Sequence, residues 1–321
     1  MAYKGSGTQV AIGKESSWGS AVADTLLLPF LSESMHSTPK KVEEDNLLAT
    51  KAPAAYDLVG ITVGGEVSGI LKPECAGFLM WAALGGTDTV TNPNGTQLHT
   101  MIAQTAALAL KSYTIFVNRK VSVIKYSGCK IASLKLSAKA GDYVRYTASF
   151  KGKDEATGTI TTSTVPSLKS YKFIGATATF GAAALDITSL DFTIENDLDD
   201  GVQTNTSGLY ASEMVHGTRK FKIHVDGPAI AAFETIRTTN ANAETLLSTV
   251  VIHLESPSLI ATTYKYRMDI TLNNVAVMDV TGNIGGKDLI TQGIDCEATA
   301  VGATEPISVA VYDGTATAYS A

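Results

Sequence analysis

Cysteine is scarce in this chain of 321 residues, and so is charge. Three cysteines, Cys75, Cys129 and Cys296, lie far apart with no CxxC pattern. An odd number at such spacing excludes a disulfide framework and a sequence-encoded zinc site. Each sits among apolar or small residues, so buried free thiols are expected, in a chain that folds in a reducing cytoplasm. Charged residues make up only 17% against 45% hydrophobic, where about 25% charged is usual. That balance points to a surface covered largely by partners. A basic excess is missing: the net charge is −6 and the pI near 5.4. No basic arm or patch for wrapping nucleic acid stands out. Long hydrophobic runs are missing as well. The most apolar stretch, "CAGFLMWAALGG" at 75–86, is too short to span a bilayer. The opening "MAYKGSGTQVAIGKESSWGS" has no apolar run of the secretory kind. A soluble chain with no membrane partner is the expectation.

What is present is alternation. "YKYRMDITLN" places Tyr264, Tyr266, Met268, Ile270 and Leu272 on one face and Lys265, Arg267, Asp269, Thr271 and Asn273 on the other. "RKFKIHV", "SLDFTIEN", "SYTIFVN" and "KVSVIKY" read as further strands, and "VRYTASFK" alternates from Val144 to Lys151. Strands apolar on one face belong to antiparallel sheets packed on one side. Two segments break the pattern. "KPECAGFLMWAALGG" opens with Pro73 and Glu74 and stops at Gly85–Gly86, which predicts a short buried helix. "DGPAIAAFETIRTTNANAETLL" predicts an amphipathic helix, with Asp226 as cap, Pro228 in the first turn, and Ile230, Phe233, Ile236 and Arg237 on it.

The order of elements occurs twice. The first half reads strand ("LLLPFLSESM"), long polar loop (36–57), strand ("ITVGGEVSGIL"), Pro-led helix, strands, and a hairpin at 128–153. The second reads strand ("ITSLDFTIEN"), polar loop (197–212), strand ("RKFKIHV"), Pro-led helix, strands, and a related hairpin at 271–300. This predicts an internal duplication of roughly 150 residues. The expected units are 1–160 and 161–321, joined through the Thr/Ser/Gly-rich "KGKDEATGTITTSTVPSLKS".

A search for chemistry finds none. His36, His99, His216, His224 and His253 lack HExxH or HxH spacing. His224, on a polar strand face, is expected to be a satisfied histidine and not a ligand. "NIGGKD" at 283–288 lacks the spacing of a phosphate loop and is expected to be a hairpin turn. "DLDDG" at 197–201 has its glycine too early for a calcium loop. "KKVEEDN" at 40–46 is a mixed-charge loop face. The polar faces carry Lys135, Lys139, Arg145, Lys220, Lys222, Lys265 and Arg267. Without interleaved aromatics, salt bridges to neighbouring strands or subunits are expected there in place of a nucleic-acid backbone. The Trp18 segment either lies on its own domain or docks on a neighbour. No catalytic residue, cofactor or metal ligand is assigned.

Four stretches together carry a resemblance: "VAIGKESSWGSAVADTLLLPFLSESM", "GEVSGILKPECAGFLMWAALGG", "YSGCKIASLKLSAKAGDYVRYTASFKGK" and "SLDFTIENDLDDG". The chain resembles the long form of bacteriophage tail tube proteins over nearly its whole length. The resemblance implies a mainly β fold of two tandem β-sandwich or barrel units, each with one short flanking α-helix. It also implies no enzymatic activity. Subunits would close into rings around a continuous inner β-barrel, and rings would stack into a tube guiding DNA from capsid to host. With two units per chain, a trimeric, pseudo-hexameric ring is expected, a hexamer being the alternative. Contacts between rings or subunits would involve Trp18, Lys40, Lys41, Glu43, Glu44, Leu47, Leu48 and Tyr56, with Asp199, Asp200 and Tyr210 from the second half. The inner-barrel hairpins would present Lys135, Ser137, Arg145 and Thr147, then Asp279, Thr281 and Thr291. Implied partners are further copies of the chain, tail terminator, tail initiator or baseplate, and tape measure proteins, and a sheath if the tail contracts. Genomic DNA would pass without sequence-specific binding. The location would be the virion tail, after synthesis in the host bacterial cytoplasm. A β-rich adhesin or glycan-binding module is the alternative, and it would want exposed aromatics on loops.

Overall fold

The computed structural model describes residues 4–44, 55–93, 96–103, 110–260, 263–283, 290–302 and 304–320. The fold is mainly β, as the alternation requires. The first half contains β1 (Gln9–Lys14), β2 (Leu26–Leu28), β3 (Ser32–Glu33), β4 (His36–Glu43), β5 (Tyr56–Ile70), α1 (Pro73–Leu84), β6 (Asp88–Thr91), β7 (Gln97–Ile102), β8 (Tyr113–Asn118), β9 (Val123–Lys139), β10 (Arg145–Gly152) and β11 (Asp154–Thr157). The second contains β12 (Ala176–Phe180), β13 (Ala183–Leu185), β14 (Ser189–Glu195), β15 (Lys220–Pro228), α2 (Ala231–Ile236), β16 (Leu247–Leu259), β17 (Lys265–Asn283), β18 (Thr291–Ala298) and β19 (Ile307–Asp313).

One antiparallel sheet runs β4–β5–β10–β9–β14–β15–β18–β17, with β3 continuing β4 along β5. The long strands β9 and β17 each begin in another layer. The start of β9 lies between β8 and β11, with β1 and β2 beyond β8. The start of β17 lies between β16 and β19, with β12 and β13 beyond β16. The same order of pairings thus occurs twice along the chain. Even the bulges coincide. Ser149 and Phe150 of β10 face Ser133 and Ile131, and Asp295 and Cys296 of β18 face Asp279 and Val277. Such a bulge bends the strand, and here it falls where each long strand passes between layers. The hairpin β6–β7 occurs once and pairs with β19.

Every residue of α1 except Glu74 is buried. A helix apolar all round must be enclosed, and α1 lies against β9, β17, β19 and β7, which come from both halves. Its ends are satisfied from outside. Pro73 needs no hydrogen bond at the first turn, and Gly85 closes the last turn at φ 66. The Ala83 carbonyl accepts from Asn196 Nδ2 (3.0 Å) and Arg219 Nη2 (2.8 Å). Asn196 also donates to the Ile131 carbonyl at 2.8 Å, while its own oxygen accepts from Arg219 Nε at 2.8 Å. One hydrophobic core runs through both halves. The three cysteines are buried free thiols, as expected.

Several expectations change. The 36–57 stretch was expected to be loop, yet 36–43 is strand β4, paired with β5, and residues 56 and 57 already belong to β5. An exposed two-strand arm lays neither face on the apolar core, so it leaves no apolar alternation to read. "LLLPFLSESM" is two short strands, β2 and β3, not one. The second helix starts at Ala231, and Asp226 and Pro228 are not its cap and first turn but the end of β15, paired with Ser189 and Thr291. Ladder pairing outweighs the local helix signal there. Phe233 and Ile236 are buried as the amphipathic pattern requires. The 151–170 join is tied down. Thr161 and Thr162 backbone N–H groups donate to the Asp24 carboxylate (2.8 and 2.7 Å), and those of Ser167 and Leu168 to Glu74 (both 2.7 Å).

The 313–319 segment is held by His99, which is fully buried. Its Nδ1 lies 3.0 Å from Asp88, and its Nε2 2.8 Å from the Thr315 carbonyl and 3.3 Å from Asp313. Burial alone would lower the His99 pKa, but hydrogen bonds to Asp313 and Asp88 overcome it and raise the value to about 10. An unfolded histidine titrates near 6.5. The folded value is the higher one, so this stabilisation is fully present below about pH 6.5 and is lost as pH rises through about 10. The melting temperature of the native chain should therefore exceed that of His99→Gln most below pH 6.5. The difference should close toward pH 10, as measured by melting curves across that range.

Candidate assembly surfaces

The long sheet has one face on the core and one polar face. Tyr146, Ala148 and Phe150 of β10 and Leu134 and Leu136 of β9 are buried; so are Leu190, Phe192 and Ile194 of β14 and Phe221, Ile223 and Val225 of β15. The alternate residues form the other face. Ser137 stands opposite Arg145, and Lys135 opposite Thr147. Asp279 and Thr281 stand opposite Asp295 and Gly293, and Thr291 is level with Asn283. All seven expected inner-hairpin residues therefore share one face, with β14 and β15 lying between the two groups. Lys135 and Asp191 are 2.9 Å apart, Lys222 and Glu195 2.8 Å, and His224 lies 2.8 Å from Asp295 and 3.2 Å from Asp226. Burial lowers the His224 pKa, and the two aspartates raise it to a net increase. From β9 through β14 and β15 to β18 the signs alternate, so the basic side chains there are offset by carboxylates. Asp191, Glu195 and Asp295 were not singled out from the sequence, although the same i, i+2 alternation carries them.

Lys265 and Arg267 belong elsewhere. They sit in the part of β17 that pairs with β16 and β19, where Lys265 contacts Glu255 and Arg267 lies 3.0 Å from Asp269 and over the Tyr312 ring. Alternation continues through β17, but the strand changes layers along its length.

A second surface is the arm formed by β4 and the start of β5. Lys40, Lys41 and Glu43 stand opposite Gly60, Leu58 and Tyr56. Lys40, Lys41, Glu43 and Tyr56 are exposed, as are Val42 and Leu58. The Glu44 N–H donates to the Ala55 carbonyl at 2.9 Å. Leu47 and Leu48 lie outside the described residues. The polar loop after β14 lies along this arm: Ile61 N–H donates to the Leu209 carbonyl (2.8 Å) and Gln203 Nε2 to the Val59 carbonyl (2.5 Å). Asp199 accepts from the Val215 and Gly201 N–H groups (2.9 and 3.1 Å), and Asp200 lies 2.6 Å from Lys151 Nζ. Tyr210 donates to Asp154, which raises its pKa. The expected contact residues of both halves thus gather around one arm. Gln203 and Leu209, which join loop to arm, were missed because nothing local marks a loop that packs on a distant strand.

Trp18 is apart from this cluster. It is half-buried, donates from Nε1 to the Gly128 carbonyl (3.2 Å), and carries Lys153 Nζ 4.5 Å from its ring centroid. In the single chain Trp18 thus packs on residues of β9 and of the turn after β10. No group of three or more His, Cys, Asp or Glu side chains suited to a metal occurs among the described residues. Among the described residues no helix is long and apolar enough to cross a membrane.

A family model described as "Phage tail tube protein" matches residues 5–300. No curated protein matches the chain.

The polar face and the buried anchor beneath it should respond differently to substitution. Lys222 and Glu195 are both about 40% exposed, so Lys222→Ala should change stability by less than about 1 kcal/mol. Asn196→Ala strips a buried set of hydrogen bonds and should cost about 2–3 kcal/mol. Urea unfolding of the two variants checks the contrast.

Proposed function

The chain belongs to the phage tail tube protein family, and from that premise we propose how it builds the tube. As a structural tail tube protein it belongs to the virion tail. In our reading three copies close into a ring, the polar face of the long sheet lines the lumen, and rings stack through the β4–β5 arm with the loop packed on it. The observation that carries this reading is the pairing order repeated along the chain, with matching bulges at Ser149/Phe150 and Asp295/Cys296. It supports two fused tube units, 1–160 and 161–321, each giving four strands to the eight-strand sheet.

The two open ends of that sheet are β3–β4 on one side and the last part of β17 on the other. Open edges invite uncontrolled pairing, and closing a barrel removes them. The β9–β14 ladder inside the chain supplies a register for the contact between copies. Lys135 pairs with Thr193 there. The matching positions, counted from the bulges and from the following strands, are Thr281 in β17 and His36 in β4. Thr281 of one copy would therefore stand opposite His36 of the next. Alternating charges on the proposed lumen face suit a conduit, since a face with no net positive field gives phosphates little to grip. Tail terminator, initiator and tape measure proteins, and a sheath where one exists, are the partners this role requires.

Electron microscopy of the concentrated chain should show hollow rings and stacked tubes, with a mass of three copies per ring. Six copies per ring would select the hexamer, and compact monomers under all conditions, seeded included, would count against the tube. Oxidation of a His36→Cys, Thr281→Cys double variant should cross-link assembled copies and leave dilute monomers uncoupled. A ladder absent from tubes would sink the register. Deleting the arm tip should leave rings that fail to lengthen, and unchanged tube length would remove its stacking role.

A further inference from the structure

The open edge of the long sheet differs from the equivalent edge that is closed inside the chain. β14 lies on β15 with Leu190 opposite Val225, and β3 lies on β5 with Glu33 opposite Val67. β14 is covered on its far side by β9, and Leu190, Phe192 and Ile194 are buried. Where the covered strand has Leu190, the open strand has Glu33. A charge pointing inward at a sheet edge is a known means of discouraging strand addition.

The Glu33 carboxylate has a specific destination. Ser34 N–H donates to the Glu66 carbonyl (2.9 Å), so Ser34 faces β5. Met35 lies in the gap between β3 and β4, and its N–H and C=O bond to side chains and not to β5. Both groups are already taken. Met35 N–H donates to Glu33 Oε2 at 3.1 Å. The Met35 carbonyl accepts from Tyr126 Oη at 2.9 Å and from Arg119 Nη2. Arg119 also grips Glu33, Nε to Oε1 at 2.9 Å and Nη2 to Oε2 at 3.0 Å. Four residues along from Met35, past Ser37, stands Pro39, which has no N–H to offer.

We propose that the Glu33–Arg119 clasp is an edge guard, which occupies the Met35 backbone in the free chain and opens when the last part of β17 of a second copy adds to this edge. The proposal rests on the tube reading above. A free chain would then be assembly-competent only in the fraction of time the clasp is open. Removing the clasp would raise that fraction and shorten the lag before assembly.

The test compares the full chain with Glu33→Leu and Arg119→Gln at matched concentrations. Light scattering follows assembly with and without sheared tube fragments as seeds, and electron microscopy identifies the product. Glu33→Leu places at this position the residue its covered counterpart carries, so it decides the matter if Arg119→Gln lowers the melting temperature. Hollow tubes forming unseeded, with a lag at least about tenfold shorter than that of the native chain, are the expected result. Lags equal to the native one, with all three chains growing normally on seeds, would overturn the guard and leave the tube reading intact. Amorphous aggregate in place of tubes would also overturn the guard. Failure of the native chain to grow on seeds would overturn the tube reading, and the guard with it.

Discussion

Every backbone N–H and C=O at a sheet edge must find a partner, and that requirement organises this molecule. The β9–β14 ladder joins the first half of the chain to the second, from Ser133 opposite Glu195 to Lys139 opposite Ser189. It turns two sets of strands into one sheet of eight. Among the described residues it also leaves two edges without strand partners, and these differ in character. The closed junction is lined by Leu190, Phe192 and Ile194. The open edge carries Glu33, Ser37 and Pro39, with Met35 held by Arg119 and Tyr126. An edge that is covered during folding can be apolar, whereas one that waits for a partner must be kept soluble.

The core supports this arrangement without depending on the polar face. α1 is enclosed by strands of both halves, and its Ala83 carbonyl accepts from Asn196 and Arg219, at the two ends of the segment between β14 and β15. Burial lowers the Arg219 pKa to about 10, which still leaves the side chain charged at neutral pH. The ion pairs on the opposite face are half-exposed and contribute little to stability. Their residues are therefore free to be chosen for what the face meets. That separation lets one sheet carry a dense core on one side and a water-facing mosaic on the other.

Much of the candidate surface was legible in the sequence. Lys135, Ser137, Arg145, Thr147, Asp279, Thr281 and Thr291 fall on one face because period-2 alternation survives in each strand. The α1 boundaries followed from Pro73 and Gly85, which act locally. Other features left no local trace. The 36–57 stretch reads as loop, yet much of it is strand, because an arm that lays neither face on the apolar core has no apolar partner positions. Lys265 and Arg267 alternate correctly but sit in the other layer, since a strand that crosses between layers keeps its period. The Glu33–Arg119 contact joins residues far apart in the chain, and neither is unusual in its own neighbourhood.

By itself the sequence determined the β class, the buried α1, the free buried cysteines and the alternation that sorts residues between two faces. These depend on side-chain period and turn chemistry, which act over a few residues. The tertiary structure alone decided which strands are neighbours. It placed β14 against β9, folded the 197–218 loop onto the β4–β5 arm, and set Glu33 and Arg119 over the Met35 backbone. Those outcomes depend on hydrogen bonds between segments distant in the chain, and a pattern of period two says which face a residue takes but not which strand lies beside it.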